Sequence, residues 1–170
     1  MKISRQSLAL SFEKLPLKDR GLIVVIDGIQ DPGNLGAIIR TSDASGADAV
    51  VILPGTCNTF MAKVIRSTAG SIFNVPVVHT TPDEFLGWIL QKKIKLIVAS
   101  VDAERSVHET DLNVPLALAF GNEAHGVSKK LRESADMFLK IPMPGKAESL
   151  NVAISAAICL YEAVRQRNLS

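Results

Sequence analysis

The chain has 170 residues, of which 47% are apolar and 21% are charged, and its formal net charge at pH 7 is +2. This length predicts one domain with a sizeable core, and this composition excludes intrinsically disordered and collagen-like proteins. Because only 5% of the residues are aromatic, an extended platform for stacking nucleic-acid bases is not expected.

The N-terminal segment, the length of the apolar runs and the number of cysteines indicate a cytoplasmic protein. Residues 1–20 are basic and amphipathic, and they lack the apolar segment of ~7–15 residues that signal peptides contain. No apolar run approaches the ~20 residues that a membrane span needs. The two cysteines, Cys57 and Cys159, are too few for a disulfide framework. We predict an N-terminal extension or linker over residues 1–20 and a single domain over residues 21–170.

From residue 22 onward, short apolar runs alternate with helical patterns. The predicted strands are 22–27, 48–53, 75–79, 95–101, 116–120 and 137–141. The predicted helices are 34–44, 58–66, 82–92 and 150–165. This order is typical of an α/β protein in which helices cover both faces of a parallel sheet. Ligands bind such sheets at the carboxyl ends of the strands, so the loops that follow the strands are the candidate site.

The first candidate loop follows strand 22–27 and is rich in glycine and proline. Asn34 is predicted to be the N-cap of the next helix. Arg40 lies roughly two turns along that helix, on the predicted face of Asn34 and Gly36. A guanidinium there would offer a planar set of donors to a phosphate. The alternative is an ordinary turn that leads into a helix.

The second candidate loop follows strand 116–120. Its two glycines, Gly121 and Gly126, flank the carboxylate of Glu123. Glycine allows the backbone to approach a ligand closely. The alternative is a strand-to-helix turn with an exposed glutamate.

The third candidate loop covers residues 141–151 and contains two prolines. Ser149 is predicted to be the N-cap of the last helix. That role leaves unexplained why Asn151, a polar residue, stands in the predicted first turn.

Several other classes of enzyme and binding site are excluded because their sequence motifs are absent. The chain has no G-x-x-x-x-G-K-[ST] phosphate loop, no G-x-G-x-x-G after the first strand and no G-x-S-x-G nucleophile turn. His79, His108 and His125 lack the spacing of zinc ligands with one another or with the cysteines. No metal site is therefore predicted.

Taken together and in this order, the three loops resemble the SpoU (TrmH) family of RNA ribose 2′-O-methyltransferases, within the SPOUT superfamily. The resemblance covers about residues 21–167. The matching segments are 34–41, 46–48, 66–73, 119–123 with Gly126, 141–143, 149–153 and 161–166.

The resemblance implies a parallel-sheet SPOUT fold with a C-terminal deep trefoil knot, a cytoplasmic homodimer, and S-adenosylmethionine as the methyl donor. RNA is the implied partner, and the motifs look slightly closer to rRNA-modifying than to tRNA-modifying members. The implied cofactor-binding residues are Gly121, Glu123, Gly126, Ile141, Met143, Ser149 and Leu150. The implied catalytic residues are Asn34, Arg40, Glu123, Ser149 and Asn151.

The chemistry suggests a role for each catalytic residue. Because an arginine stays protonated, Arg40 is expected to hold the RNA phosphate and to stabilise the alkoxide as it forms. Asn34, Ser149 and Asn151 would position the ribose and Arg40, and Glu123 would orient Asn34 or the loop amides.

The sequence also departs from the family pattern. Gly33 stands where a histidine is frequent, and His125 stands where small or basic residues are usual. Many relatives carry an additional N-terminal RNA-binding domain. Residues 1–20 are therefore a solvated helix or linker, an RNA-contacting extension, or the remainder of a missing domain. Two other functions are considered: a catalytically silent RNA-binding assembly factor, and a conventional nucleotide-binding enzyme, which would need a glycine fingerprint after the first strand.

Overall fold

The computed structural model describes residues 12–168; the predicted extension therefore lies outside the described residues over 1–11. The strands are β1 (Leu22–Asp27), β2 (Ala49–Ile52), β3 (Val77–His79), β4 (Lys95–Ala99), β5 (Leu116–Gly121) and β6 (Met137–Leu139). The helices are α1 (Pro32–Ala44), α2 (Ala62–Ser67), α3 (Pro82–Lys92), α4 (Lys129–Ser134) and α5 (Val152–Asn168). All six predicted strands are present, and α4 is an addition to the prediction.

The six strands form one sheet in the order β3-β2-β1-β5-β4-β6, and every neighbouring pair is parallel. This confirms the predicted parallel α/β architecture. Both faces of the sheet are buried: Val24 and Ile26 belong to the apolar cluster that includes α1 and α5, whereas Ile23 and Val25 belong to the cluster that includes α3. At the carboxyl end of the central pair, Asp27 of β1 lies opposite Gly121 of β5.

Helix α1 begins before the predicted position. Its N-cap is Asp31, whose Oδ1 accepts a hydrogen bond from the Asn34 amide at 2.8 Å. Pro32 occupies the first helical position, where a missing N–H costs nothing. The prediction that Asn34 caps this helix is therefore wrong, and its side chain is available for other contacts.

Helix α5 begins at Val152 and is capped by Asn151. The Asn151 Oδ1 accepts hydrogen bonds from the amides of Ala153 at 2.9 Å and Ile154 at 3.3 Å. The prediction that Ser149 caps this helix is wrong, because an N-cap side chain reaches amides two or three residues ahead and Asn151 holds that position. The cap also explains the polar residue at the helix start.

A buried carboxylate links the end of α5 to the segment before β5. Glu162 is 7% exposed and accepts hydrogen bonds from Arg165 (Nε at 2.9 Å, Nη2 at 2.7 Å) and from Gln166 Nε2 at 2.9 Å. Gln166 in turn accepts a hydrogen bond from the amide of Leu112 at 2.8 Å and donates one to the carbonyl of Thr110 at 3.0 Å. The hydrogen bonds from Arg165 lower the pKa of Glu162 to about 2, although burial opposes this shift.

We expect this carboxylate to make stability depend on pH. The unfolded-state pKa of a glutamate is about 4.3. The native pKa of Glu162 is lower, so its contribution to the free energy of unfolding is fully present above about pH 4.3 and is lost as the pH falls toward 2. Thermal melts should show Glu162→Gln less stable than wild type near neutral pH, with the two melting temperatures converging in acid. Parallel melting curves across this range would contradict the assignment.

Candidate active site

A cavity of about 600 Å³ opens at the carboxyl ends of β4, β5 and β6. Its walls come from residues 98–102 after β4, 120–127 after β5, 139–141 and 143 after β6, and 149–152 at the start of α5. All seven residues predicted to bind the cofactor lie in this wall: Gly121, Glu123, Gly126, Ile141, Met143, Ser149 and Leu150. Two of the three predicted loops therefore meet here, although residues 128–140 separate them in the chain.

The loop after β5 is folded tightly against itself. Asn122 and Gly126 exchange two backbone hydrogen bonds of 2.9 and 2.8 Å. Gly126 has φ of +70°, which favours glycine. A Cβ on Gly121 would lie 2.1 Å from the carbonyl carbon of Gly126 and 2.2 Å from the amide of Val127. The two glycines are therefore requirements of the loop shape.

Two polar side chains attach this loop to the end of β1. Asn122 Nδ2 donates to the carbonyl of Gly28 at 3.1 Å. Asp27 is 5% exposed, and its Oδ2 accepts a hydrogen bond from the amide of Ser128 at 2.7 Å. Sequence reasoning missed both residues. A charged residue that closes an otherwise apolar strand was the available signal for Asp27, because a buried carboxylate needs a partner.

Three side chains from the three predicted loops form one hydrogen-bonded network. Asn34 Nδ2 donates to Glu123 Oε1 at 2.8 Å. Asn151 Nδ2 donates to Asn34 Oδ1 at 3.0 Å and lies 3.4 Å from Glu123 Oε1. Because Asn151 Oδ1 caps α5, the orientation of its amide is fixed. The network thus joins the first loop to the edge of the cavity.

Arg40 makes no hydrogen bond to this network within residues 12–168. Its side chain is exposed and is not among the residues that line the cavity. Six residues of α-helix make about 1.7 turns, so the predicted shared face with Asn34 is wrong, whereas Gly36, four residues away, does share it. Within residues 12–168 the guanidinium has no hydrogen bond or ion pair, and it is free to take an external anion.

Ser149 lies in the cavity wall, and its side chain is exposed.

Cys159 is buried in α5, where desolvation raises the pKa of its thiol to about 12, so this cysteine belongs to the core. In the described part of the chain, no group of three or more His, Cys, Asp and Glu side chains is arranged to hold a metal ion. Nor is any helix there long and apolar enough to cross a bilayer.

Comparison with known proteins gives one consistent family. The model of the SpoU rRNA Methylase family matches residues 21–161. The 23S rRNA (guanosine(2553)-2′-O)-methyltransferase RlmP of Bacillus subtilis is 41% identical over 139 residues, which cover 82% of this chain and 56% of that protein. The 23S rRNA (guanosine-2′-O-)-methyltransferase RlmB of Xanthomonas axonopodis is 42% identical over 149 residues, which cover 87% of this chain and 60% of the relative. The chain thus spans less than two thirds of the length of these relatives.

Solved structures agree with the sequence comparison. The SpoU methyltransferase AviRb from Streptomyces viridochromogenes superposes with a TM-score of 0.90 at 35% identity, covering 95% of this chain and 65% of that chain. A second structure of AviRb, in complex with the cofactor AdoMet, also gives a TM-score of 0.90, at 34% identity, with 95% of this chain and 66% of that chain covered.

Proposed function

Because the chain belongs to the SpoU rRNA Methylase family, we propose that it transfers a methyl group from S-adenosylmethionine to a ribose 2′-hydroxyl in structured RNA, with rRNA as the substrate class. One observation carries this proposal: the side chains of Asn34, Glu123 and Asn151 meet at the edge of a cavity. The wall of that cavity contains all the residues predicted to bind the cofactor. The two free cysteines, Cys57 and Cys159, suit a cytoplasmic enzyme.

The cavity has the properties that the methyl donor requires. Its volume of about 600 Å³ lies within the ~300–1,000 Å³ typical of small-molecule sites. The tight glycine loop brings backbone groups of residues 121–127 to the cavity wall, where they would hold the cofactor. When bound there, S-adenosylmethionine supplies a methyl group that its sulfonium charge has already activated.

The residues of the chain would position the ribose and assist proton loss. The Asn34, Glu123 and Asn151 side chains hold one another in fixed orientations, so they can align a 2′-hydroxyl without reorganising. Ser149 would add a hydroxyl contact from the cavity wall. Arg40, with its unengaged guanidinium, would bind the adjacent RNA phosphate and stabilise the developing alkoxide.

The test is transfer of tritium from labelled S-adenosylmethionine to unmodified total RNA, followed by separation of rRNA and tRNA. We expect label in rRNA, within alkali-resistant dinucleotides that place the methyl group on the 2′-oxygen. Cofactor binding measured by calorimetry without any labelled RNA would mean that the reaction needs a further domain, a partner or an assembly intermediate, whereas loss of cofactor binding would favour a silent RNA-binding assembly factor. Absence of both binding and label would overturn the proposal.

We also propose that the protein is a homodimer and that α5 contributes to the interface. Ile154 and Tyr161, seven residues apart on the same helix face, are each 53% exposed. Sedimentation should give twice the chain mass of 18.3 kDa, and replacing both residues with glutamate should return it to the single mass. A monomeric wild type would contradict this prediction.

A further inference from the structure

A second cavity, of about 410 Å³, lies at the carboxyl ends of β2 and β3. In the sheet order it is on the opposite side of β1 from the candidate active site. Both cavities therefore open at the same edge of the sheet. Its lining includes Thr56, Asn58, Phe60, His79 and Thr80.

Residues 28–31, which connect β1 to α1, lie between the two cavities and are hydrogen-bonded to the linings of both. On the side of the second cavity, the amide of Gly28 donates to Thr56 Oγ1 at 3.0 Å and the amide of Cys57 donates to the carbonyl of Ile29 at 2.9 Å. On the other side, the carbonyl of Gly28 accepts from Asn122. The same segment leads directly into α1, which carries Asn34. An RNA strand bound in the second cavity would therefore be separated by Gly28 from the loop that carries Glu123.

The second cavity contains two rings suited to stacking. The rings of Phe60 and His79 are nearly parallel, at 17°, with centroids 6.3 Å apart. His79 Nε2 is hydrogen-bonded to Thr59 Oγ1 at 2.9 Å, and Thr59 is 1% exposed, so the imidazole is held in place. Burial lowers the pKa of His79, which favours the neutral imidazole. Unpaired RNA bases stack on rings of both kinds.

The charges near this cavity suit a polyanion. Among residues 12–168, no aspartate or glutamate lines it. Burial raises the pKa of the Cys57 thiol, and the nearby carboxylate of Asp31 raises it further. Asp31 itself caps α1 and lies 3.9 Å from Lys63. Lys63 of α2 is exposed. Another cavity of about 410 Å³, beside β4 and β6, has two carboxylates, Asp102 and Glu104, and two arginines, Arg105 and Arg132, in its lining.

We propose that the second cavity binds an unpaired nucleobase of the RNA substrate, stacked on Phe60 and His79, close to the nucleotide whose ribose is methylated. The binding mode is stacking, so the site accepts any base and anchors the strand. This inference deepens the proposed function and depends on RNA being the substrate.

The test compares two phenylalanines with the same change. Phe60→Leu removes the ring from the cavity but keeps apolar volume, whereas Phe73→Leu removes a ring that is 57% exposed and outside the lining. With unmodified 23S rRNA transcript, we expect Phe60→Leu to weaken RNA binding about tenfold, within the range for loss of one base-stacking contact. Phe73→Leu should stay within about twofold of wild type, and Phe60→Tyr should restore affinity. Calorimetry should show unchanged S-adenosylmethionine binding in all three variants.

A direct measurement identifies the contact without relying on methyl transfer. Transcript carrying 4-thiouridine is irradiated with the wild-type chain, and crosslinked peptides are mapped by mass spectrometry. We expect crosslinks within residues 54–60 or 79–80. Crosslinks confined to other segments, or equal RNA affinity of the Phe60→Leu and Phe73→Leu variants, would overturn the inference. If the wild type fails to bind S-adenosylmethionine, the proposed function fails, and the crosslinks still decide whether the cavity binds RNA.

Discussion

Replacing Arg40 with alanine is expected to lower the rate of methyl transfer at least ~100-fold, which corresponds to a loss of about 2.7 kcal/mol of transition-state stabilisation. The guanidinium is exposed and unengaged within residues 12–168, so its removal should leave the melting temperature unchanged. Because Arg40 does not line the cavity, binding of S-adenosylmethionine should also be unchanged. The effect should therefore appear in the rate under single-turnover conditions with saturating cofactor.

Two further variants separate charge from geometry at this position. Arg40→Lys keeps the positive charge but loses the planar pair of donors, so we expect it to recover only part of the rate. Lys92→Ala removes a cation from the last turn of α3 and should behave as wild type. If Arg40→Ala retains more than about a tenth of the wild-type rate, less than ~1.4 kcal/mol is involved and the role assigned to Arg40 is wrong.

The strands were predictable because burial on both faces leaves a continuous apolar run in the sequence. For β1 the predicted and observed bounds coincide, since the run ends at a charged residue.

Helix starts were less predictable. Both Asp31 and Asn34 are good N-cap residues, and only the backbone position decides between them. Helix α4 was missed because it has six residues, of which only Leu131 is buried, so it produces no periodic apolar pattern.

The candidate site was predictable only in part. Its three loops were identified from their glycine, proline and carboxylate content, together with the family resemblance, and the structure brings Asn34, Glu123 and Asn151 together. The residues that hold the loop after β5 in place gave a weaker signal in the sequence. Asp27 and Asn122 act through backbone amides and carbonyls, and such partners cannot be identified without the fold. The trefoil knot stays a prediction.

Substituting Gly121 with alanine is expected to abolish binding of S-adenosylmethionine, with a loss of affinity of at least ~100-fold (about 2.7 kcal/mol). The added Cβ would overlap the backbone of Gly126 and Val127 at 2.1 to 2.3 Å. Backbone atoms cannot move aside as a flexible side chain can, so the loop over residues 121–127 must open. Because that loop forms one wall of the cavity, the change removes the binding surface itself.

Two other glycines provide matched controls for this prediction. Gly126→Ala meets no atom of residues 12–168 within 4 Å but requires alanine at φ of +70°, a backbone strain of about 1 kcal/mol, so its effect should be intermediate. Gly145→Ala likewise meets no atom of the described chain within 4 Å and needs no unusual φ, so calorimetry and thermal melts should match wild type. This order of affinities, with Gly145→Ala highest and Gly121→Ala lowest, is what a wall built from closely packed backbone requires. If Gly121→Ala bound the cofactor as tightly as Gly145→Ala, the loop would not be the cofactor-binding surface.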